Sequence, residues 1–296
     1  MESDAEREGR CVIPSSFEYA RAGSVEEALR LLKDAGGEAK LLAGGHSLLP
    51  MMKIRLTSPG KLIDIRSIRE LRGIRREGNR LVVGALTSHR QAATDPLVRE
   101  HLPVLAEAAS QIGDLQVRNR GTLGGNLAHA DPASDLPAVA VALKAELAVQ
   151  RPDGKETFDA EGFFLGPMIT ALPEDGILTS VSFAIPPEGV KSTYVKYPHP
   201  ASGYAVVGVA AALGIGADGT VNYARIGITG ASDIAYRAEA AEQALLGKRP
   251  TEETIREAAS QAAEGREMNG DLFASSDYRR HLVQVYTARA LRRLSG

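Results

Sequence analysis

Leu41-Leu42-Ala43-Gly44-Gly45-His46-Ser47-Leu48-Leu49-Pro50 is the stretch on which the reading of the fold turns. The apolar run Ala39 to Ala43 predicts a buried strand, and the two glycines end it. Adjacent glycines let backbone amides approach a ligand with no side chain between. Successive amides in such a turn make a concavity that attracts anions. A second segment has the same character: Thr122-Leu123-Gly124-Gly125-Asn126, continued by Leu127-Ala128-His129-Ala130-Asp131-Pro132. The pair reads as two Gly-Gly turns able to grip the two ends of one pyrophosphate. A single Gly-Gly turn is weak evidence, since most are only tight turns. Neither segment is G-x-G-x-x-G or G-x-x-x-x-G-K-S/T, so the Rossmann and P-loop fingerprints are missing. Residue chemistry alone reaches a candidate nucleotide site.

Around the first stretch, residues 13–60 read as a small α/β unit. Ser24 and Glu27 form a capping box, Val25, Ala28, Leu29 and Leu32 repeat at helical spacing, and Gly36-Gly37 ends the helix. Leu48, Leu49, Met51, Met52 and Ile54 read as core packing. Residues 61–187 continue with strands at Leu62–Ile65 and Leu81–Ala85 and a hairpin around Glu77-Gly78-Asn79. A short helix capped by Thr87 or Ser88 follows, then one opened by Pro103 with Val104, Leu105, Ala108, Ala109 and Ile112 on its apolar face. An apolar helix ends at Leu143, and strands are expected at Glu146–Gln150 and Ile177–Ile185. Pro186-Pro187-Glu188-Gly189 reads as a linker. In 188–296, three strands (Ser192–Tyr197, Ala205–Leu213, Val221–Gly230) precede helices at Tyr236–Leu246 and Thr251–Ala263 and a last amphipathic helix. Strands followed by helices predict an α+β fold with a three-stranded antiparallel sheet in this part, not a doubly wound parallel sheet.

With 296 residues the chain can hold two or three modest cores, and its net charge of -2 leaves no broad footprint for nucleic acid. One cysteine, Cys11, excludes an internal disulfide and any multi-cysteine cluster. The six histidines form no H-x-x-x-H or H-E-x-x-H pair, so no zinc site is expected. No apolar run approaches the roughly 20 residues of a membrane span. Residues 1–12 read as a disordered lead without a signal-peptide core, and a cytoplasmic location follows by default.

Ala43-Gly44-Gly45-His46-Ser47-Leu48-Leu49-Pro50, with Lys53 and Arg55 after it, resembles the first flavin motif of the molybdenum hydroxylase flavoprotein subunits. Gln116-Val117-Arg118-Asn119-Arg120-Gly121 leading into Thr122–Asn126, with His129-Ala130-Asp131-Pro132, resembles the second. The likeness runs from about Pro14 to the C-terminus. It is greatest to the medium, FAD-binding subunits of the aerobic carbon monoxide dehydrogenase type, and xanthine dehydrogenase carries the same module. The resemblance implies a two-part, PCMH-type FAD-binding domain followed by a smaller domain of the carbon monoxide dehydrogenase flavoprotein type. It implies noncovalent FAD held by Leu42, Ala43, Gly44, Gly45, His46, Ser47 and Leu48 on one side. Thr122, Leu123, Gly124, Gly125 and Asn126 would hold it on the other. The family's acidic residue nine positions after the motif asparagine, which meets the adenosine end, falls on Asp135. Its flavin-facing lysine falls on Lys196, in Tyr194-Val195-Lys196-Tyr197. Pro200-Ala201-Ser202-Gly203-Tyr204 resembles the family's Pro-Ala-Ser-x-Tyr, which makes Tyr204 the cover of the isoalloxazine face, although Gly203 is smaller than expected there. Ile112 and Leu178 align with apolar flavin contacts, with plain core packing as the competing reading. His129 near a flavin would tune it; alternatively His129 and Asp131 only brace the turn.

The implied reaction is electron transfer within a complex, with no catalytic residue in this chain. A large molybdenum-containing subunit would oxidise the substrate, and a small iron–sulfur subunit would carry the 2Fe-2S clusters. A dimer of heterotrimers is the implied assembly, cytoplasmic or peripheral at the inner membrane face. No cysteine-rich insertion is present, which disfavours the hydroxybenzoyl-CoA reductase branch. Two other readings stay open: a flavin-binding module without redox coupling, and a stand-alone FAD oxidase. The substrate and the final acceptor are not legible.

Overall fold

The computed structural model describes residues 13–296, so the expected disordered lead over 1–12, with Cys11, lies outside the described residues. The chain begins with β1 (Glu18–Arg21), α1 (Val25–Asp34), β2 (Ala39–Leu42), α2 (Leu48–Lys53) and β3 (Lys61–Asp64). The three strands form a parallel sheet in the order β1-β3-β2. The Ser24 hydroxyl accepts from the Glu27 amide at 3.2 Å. The Glu27 carboxylate reaches back to the Gly23 amide at 2.7 Å, one residue earlier than the expected capping box. Val25, Ala28 and Leu29 are buried against Ile63 and Ile65. The Leu48–Ile54 run differs from its expectation. Only Met52 is buried, whereas Leu49 and Ile54 are exposed. A six-residue helix turns about 100° per residue, so one face alone meets Leu42 and Leu62.

Asp64 ends the central strand with no exposed surface. It accepts hydrogen bonds from Tyr19 Oη (2.6 Å), the Arg66 amide (2.9 Å) and Arg66 Nη2 (2.6 Å). Burial pushes its carboxyl up, but the Arg66 and Tyr19 hydrogen bonds together prevail and hold it well below the usual carboxylate range. The unfolded chain therefore binds the proton first. The stabilisation is complete above about pH 4 and is lost as pH falls through the folded value. Asp64→Asn should flatten this acid limb of a stability-against-pH curve measured by urea unfolding. An unchanged limb would assign it to other carboxylates.

The next unit contains β4 (Ile74–Glu77) and β5 (Arg80–Gly84), joined through Gly78 at φ 60°. Six helices follow: α3 (His89–Thr94), α4 (Pro96–His101), α5 (Pro103–Ser110), α6 (Leu115–Arg120), α7 (Leu123–His129) and α8 (Leu136–Ala142). The chain returns through β6 (Glu146–Arg151), β7 (Gly154–Asp159), α9 (Ala160–Phe163), the small pair β8 (Phe164–Gly166) and β9 (Ile169–Thr170), and β10 (Ile177–Ala184). Five of these strands form an antiparallel sheet in the order β4-β5-β10-β6-β7. Its inner face packs Leu81, Val83, Leu147, Val149, Val181 and Phe183 against the helices. Every residue of α8 is buried, so this helix is core on all sides rather than amphipathic.

The last unit contains β11 (Lys191–Pro198), β12 (Ala205–Ile215), β13 (Val221–Thr229) and β14 (Tyr236–Arg237), then α10 (Glu239–Leu245), α11 (Glu252–Ser260) and α12 (Ser276–Ser295). The expected three-stranded antiparallel sheet has a short fourth strand, in the order β11-β12-β13-β14. Tyr236 and Arg237 pair with Ile228 and Gly227 instead of opening the expected helix at Tyr236. Tertiary anchors decide this: Tyr236 Oη donates to the Ala262 carbonyl at 3.1 Å, and Arg237 pairs with buried Glu242 at 2.6 Å. One face of the sheet packs on α12 through Leu282, Val283, Leu291 and Leu294. The other meets α8, where a Cβ at Gly227 would overlap the Ala138 carbonyl. Arg225 crosses this seam to the Val141 and Ala142 carbonyls that end α8, at 2.8 and 3.1 Å, and to Glu161 at 2.7 Å.

Candidate functional site

The first diglycine leaves β2 as a sharp turn, with Gly45 at φ 78°. Gly44 sits directly on the second motif. A Cβ there would collide with the Arg120 carbonyl oxygen and lie 2.8 Å from Gly121 Cα. From the other side, a Cβ at Gly125 would lie 3.7 Å from Ala43 Cβ. The two motifs, far apart in the chain, thus form one junction, and glycine is what lets the backbones touch. Among the described residues, the amides of Gly44, Gly45, His46 and Ser47 have no protein acceptor. Successive unpaired amides on a turn are an anion-binding concavity.

The second diglycine is not the turn that the sequence predicts. Gly124 and Gly125 lie in the first turn of α7, because Thr122 adopts an extended N-cap conformation and its Oγ1 accepts from the Gly125 amide at 3.1 Å. Other amides of this motif are also used inside the protein: Leu123 donates to Thr87 O (2.9 Å), Gly124 to Ala85 O (2.9 Å) and Asn126 to Thr122 O (3.0 Å). What this side leaves to a ligand is glycine Cα surface and side chains. Asn126 Oδ1 accepts from Ser134 Oγ at 2.7 Å, leaving its amide nitrogen as donor. Gly124 itself is required by packing, since a Cβ would lie 2.5 Å from Ala85 Cβ.

Asp135 and Lys196 meet each other. Lys196 Nζ lies 2.8 Å from Asp135 Oδ1 and 3.0 Å from Oδ2, with both side chains almost fully buried. Tyr194 Oη donates to Asp135 Oδ1 at 2.6 Å, and Lys196 donates to the Gln111 carbonyl at 3.2 Å. Burial raises the Asp135 carboxyl, opposed by Lys196 and Tyr194, while burial and Asp135 raise the Tyr194 phenol well above its usual value. Ile112, beside Gln111, and Leu178, at a bulge in β10, are both buried in the same core. Tyr204 is 44% exposed at the end of a loop whose neighbour Ala205 donates to Ala133 O. Burial, then Asp131 and Asp135, raises its phenol. Leu42 and Leu48 pack together beneath the first turn. Asp131 does brace its turn, accepting from the Ala133 amide at 2.9 Å.

Sequence reasoning missed the Ala85–His89 segment. Its carbonyls hold Leu123 and Gly124, Ser88 bridges to Thr122, and the His89 amide donates to Gly121 O at 3.1 Å. The only local signal there was the Ser88 helix cap, which says nothing of a distant partner. A separate cleft of about 400 Å³, lined by Val141, Glu161, Tyr236, Arg237 and Glu264 among others, contains none of the motif residues.

Residues 15–187 match the family model described as the FAD binding domain in molybdopterin dehydrogenase. The chain belongs to this family. Residues 192–294 of this FAD-binding subunit match a second model, the CO dehydrogenase flavoprotein C-terminal domain. The subunit is 42% identical to the carbon monoxide dehydrogenase medium chain of Hydrogenophaga pseudoflava, over 95% of this chain and 97% of that one. It is 34% identical to subunit alpha of the 6-hydroxypseudooxynicotine dehydrogenase complex of Paenarthrobacter nicotinovorans, over 94% of each. The solved carbon monoxide dehydrogenase from Hydrogenophaga pseudoflava which lacks the Mo-pyranopterin moiety of the molybdenum cofactor superposes with a TM-score of 0.92 at 44% identity, covering 95% of this chain and 98% of that one. The subunit is therefore an FAD-binding component of a molybdenum hydroxylase-type oxidoreductase, with the two-domain α+β fold of that family.

Proposed function

We propose that the junction of the two motifs holds the diphosphate of noncovalently bound FAD. The observation that carries this reading is the row of four unpaired amides, Gly44 to Ser47, whose first residue packs directly against Arg120-Gly121. The donor set fits an anion: backbone N–H groups, the Ser47 and Thr122 hydroxyls and the Asn126 amide. Leu42, Ala43 and Leu48 back the first turn; on the other side Gly125 is exposed and lets a ligand approach closely, while buried Leu123 and Gly124 pack the helix start that presents it. Lys196 would face the flavin, and Asp135 acts by holding it, 2.8 Å away. Ile112 and Leu178 would form apolar wall, and half-exposed Tyr204 would cover the opening. When bound, FAD supplies the capacity to accept electrons from a partner's iron–sulfur clusters and deliver them to an external acceptor.

The chain has one cysteine, and a 2Fe-2S cluster takes four ligands. The clusters and the molybdenum cofactor therefore belong to a small and a large partner subunit in this reading, in a dimer of heterotrimers. Two relatives are named for different substrates, carbon monoxide and 6-hydroxypseudooxynicotine. A module shared by both fits electron delivery better than substrate choice. No helix among the described residues is long and apolar enough to cross a membrane, and we place the complex in the cytoplasm, in peripheral contact with the inner face at most. The test is reconstitution of the purified full-length chain with FAD. The expected product is yellow, holds about one FAD per chain and releases it on acid precipitation. A folded chain that refuses FAD, or flavin that stays attached after precipitation, overturns the reading.

A further inference from the structure

His89 is the first residue of α3, and its imidazole is only 3% exposed, behind the place where the two motifs meet. A Cβ at Gly121 would lie 2.8 Å from both Cδ2 and Nε2 of the ring, so this edge faces the backbone that carries Gly44. Among the described residues, Nδ1 is buried without a hydrogen-bond partner. Buried polar atoms are nearly always paired, and an orphan calls for an explanation. Burial, then the nearby His46, pushes the imidazole down to about 4, so the ring is neutral at neutral pH. A neutral ring protonated on Nε2 turns a donor toward the junction.

Most of the surrounding charges are committed elsewhere. Arg90 on the same helix donates to Asn119 Oδ1. On α6, Arg118 holds the Ile112 and Gly113 carbonyls, Asp114 caps Val117, and Arg120 is exposed. Glu107 of α5 is taken by Thr193, Tyr194 and Arg293. On α4, Arg99 holds the Ala93 carbonyl, and His101 lies between Glu100 and Arg76. The groups that act on His89 include no carboxylate. A seated anion would bring negative charge to this side of the ring.

We propose that His89 is a positioning residue of the FAD site, which takes up a proton as the diphosphate seats at the junction, its Nε2 edge lying against Gly121. The inference rests on the FAD reading above and deepens it. A nearby opposite charge favours the charged form, so the seated diphosphate raises the imidazole from its depressed value. The affinity then weakens by up to about tenfold from pH 5 to pH 7, because binding takes up a proton that becomes scarcer as pH rises.

Titration calorimetry of the full-length, flavin-free chain with FAD, in two buffers of different ionisation enthalpy, tests this. Uptake of nearly one proton per FAD is expected at pH 5, falling toward zero by pH 7. H89Q, checked for folding by its melting curve, should bind more weakly at pH 5 and show no pH dependence. H281Q, at an exposed histidine of α12, should keep the proton uptake. FAD binding by the wild-type chain without proton uptake overturns this inference alone, as does a pH dependence that survives in H89Q or vanishes in H281Q. No FAD binding at any pH overturns the parent reading as well. Should H89Q fail to fold, imidazole nitrogen shifts of the wild-type chain decide. His89 must pass from the neutral to the protonated pattern on FAD addition at pH 5, and an unchanged ring refutes the proposal.

Discussion

Gly44→Val should yield a chain that purifies without flavin. The Cβ it adds collides with the Arg120 carbonyl oxygen and approaches Gly121 Cα to 2.8 Å, and both obstacles are backbone. No rotamer change relieves them, so the two motifs must move apart, at a cost of order 1–3 kcal/mol from overpacking alone. The unpaired amides of Gly44–Ser47 then no longer face the second motif, and an anion held by both sides loses one of them. Flavin content measured after acid release should fall to roughly a tenth of wild type or less, an equilibrium change of about 1.4 kcal/mol or more. Gly162→Ala serves as the control, because nothing lies within 4 Å of its Cβ position. Wild-type flavin content in Gly44→Val would mean that the junction is not where the cofactor sits.

Lys196→Met should be among the most destabilising single changes in the molecule. It leaves Asp135 buried with Tyr194 Oη as its one remaining side-chain partner. Breaking a buried ion pair from one side costs about 3–5 kcal/mol, far more than the intact pair contributes over an apolar replacement. The pH dependence has a definite sign. Without Lys196 the carboxyl loses its main opposition to burial and rises further above its unfolded value. The folded variant then binds a proton that the unfolded chain has released. Its deficit is smallest below the ordinary aspartate range near pH 4 and grows as pH rises toward neutrality. Urea unfolding at pH 4 and pH 7 reads this directly. Adding Asp135→Asn removes the stranded charge and keeps an acceptor for Tyr194, so the double variant should recover much of the loss. A double variant no better than the single would show that the cost lies in packing rather than charge.

Local signals carried much of the architecture. Ser24, Ser88 and Pro103 mark helix starts, and Gly36-Gly37 a stop, where the structure has them. Each acts within a turn of itself, so a linear reading captures it. The misreadings share one cause. Tyr236-Arg237 carries helical apolar spacing with its neighbours, yet it pairs with β13 because Ala262 and Glu242 hold its side chains from elsewhere in the chain. Leu49 and Ile54 are apolar but exposed, because a six-residue helix offers the core a single face. Gly124-Gly125 looks like Gly44-Gly45 on paper, yet Thr122 turns it into a capped helix whose amides are already spent.

By itself the sequence determined the α+β class, most element positions and two glycine pairs whose flanks carry a family likeness, because these depend on composition and spacing within a few residues. Only the tertiary structure decided that Gly44 lies on Arg120-Gly121, that Asp135 and Lys196 face each other, and that His89 stands behind the junction. Such contacts depend on how separate elements pack in three dimensions, and the energy that fixes them is shared among residues with no local sequence relation.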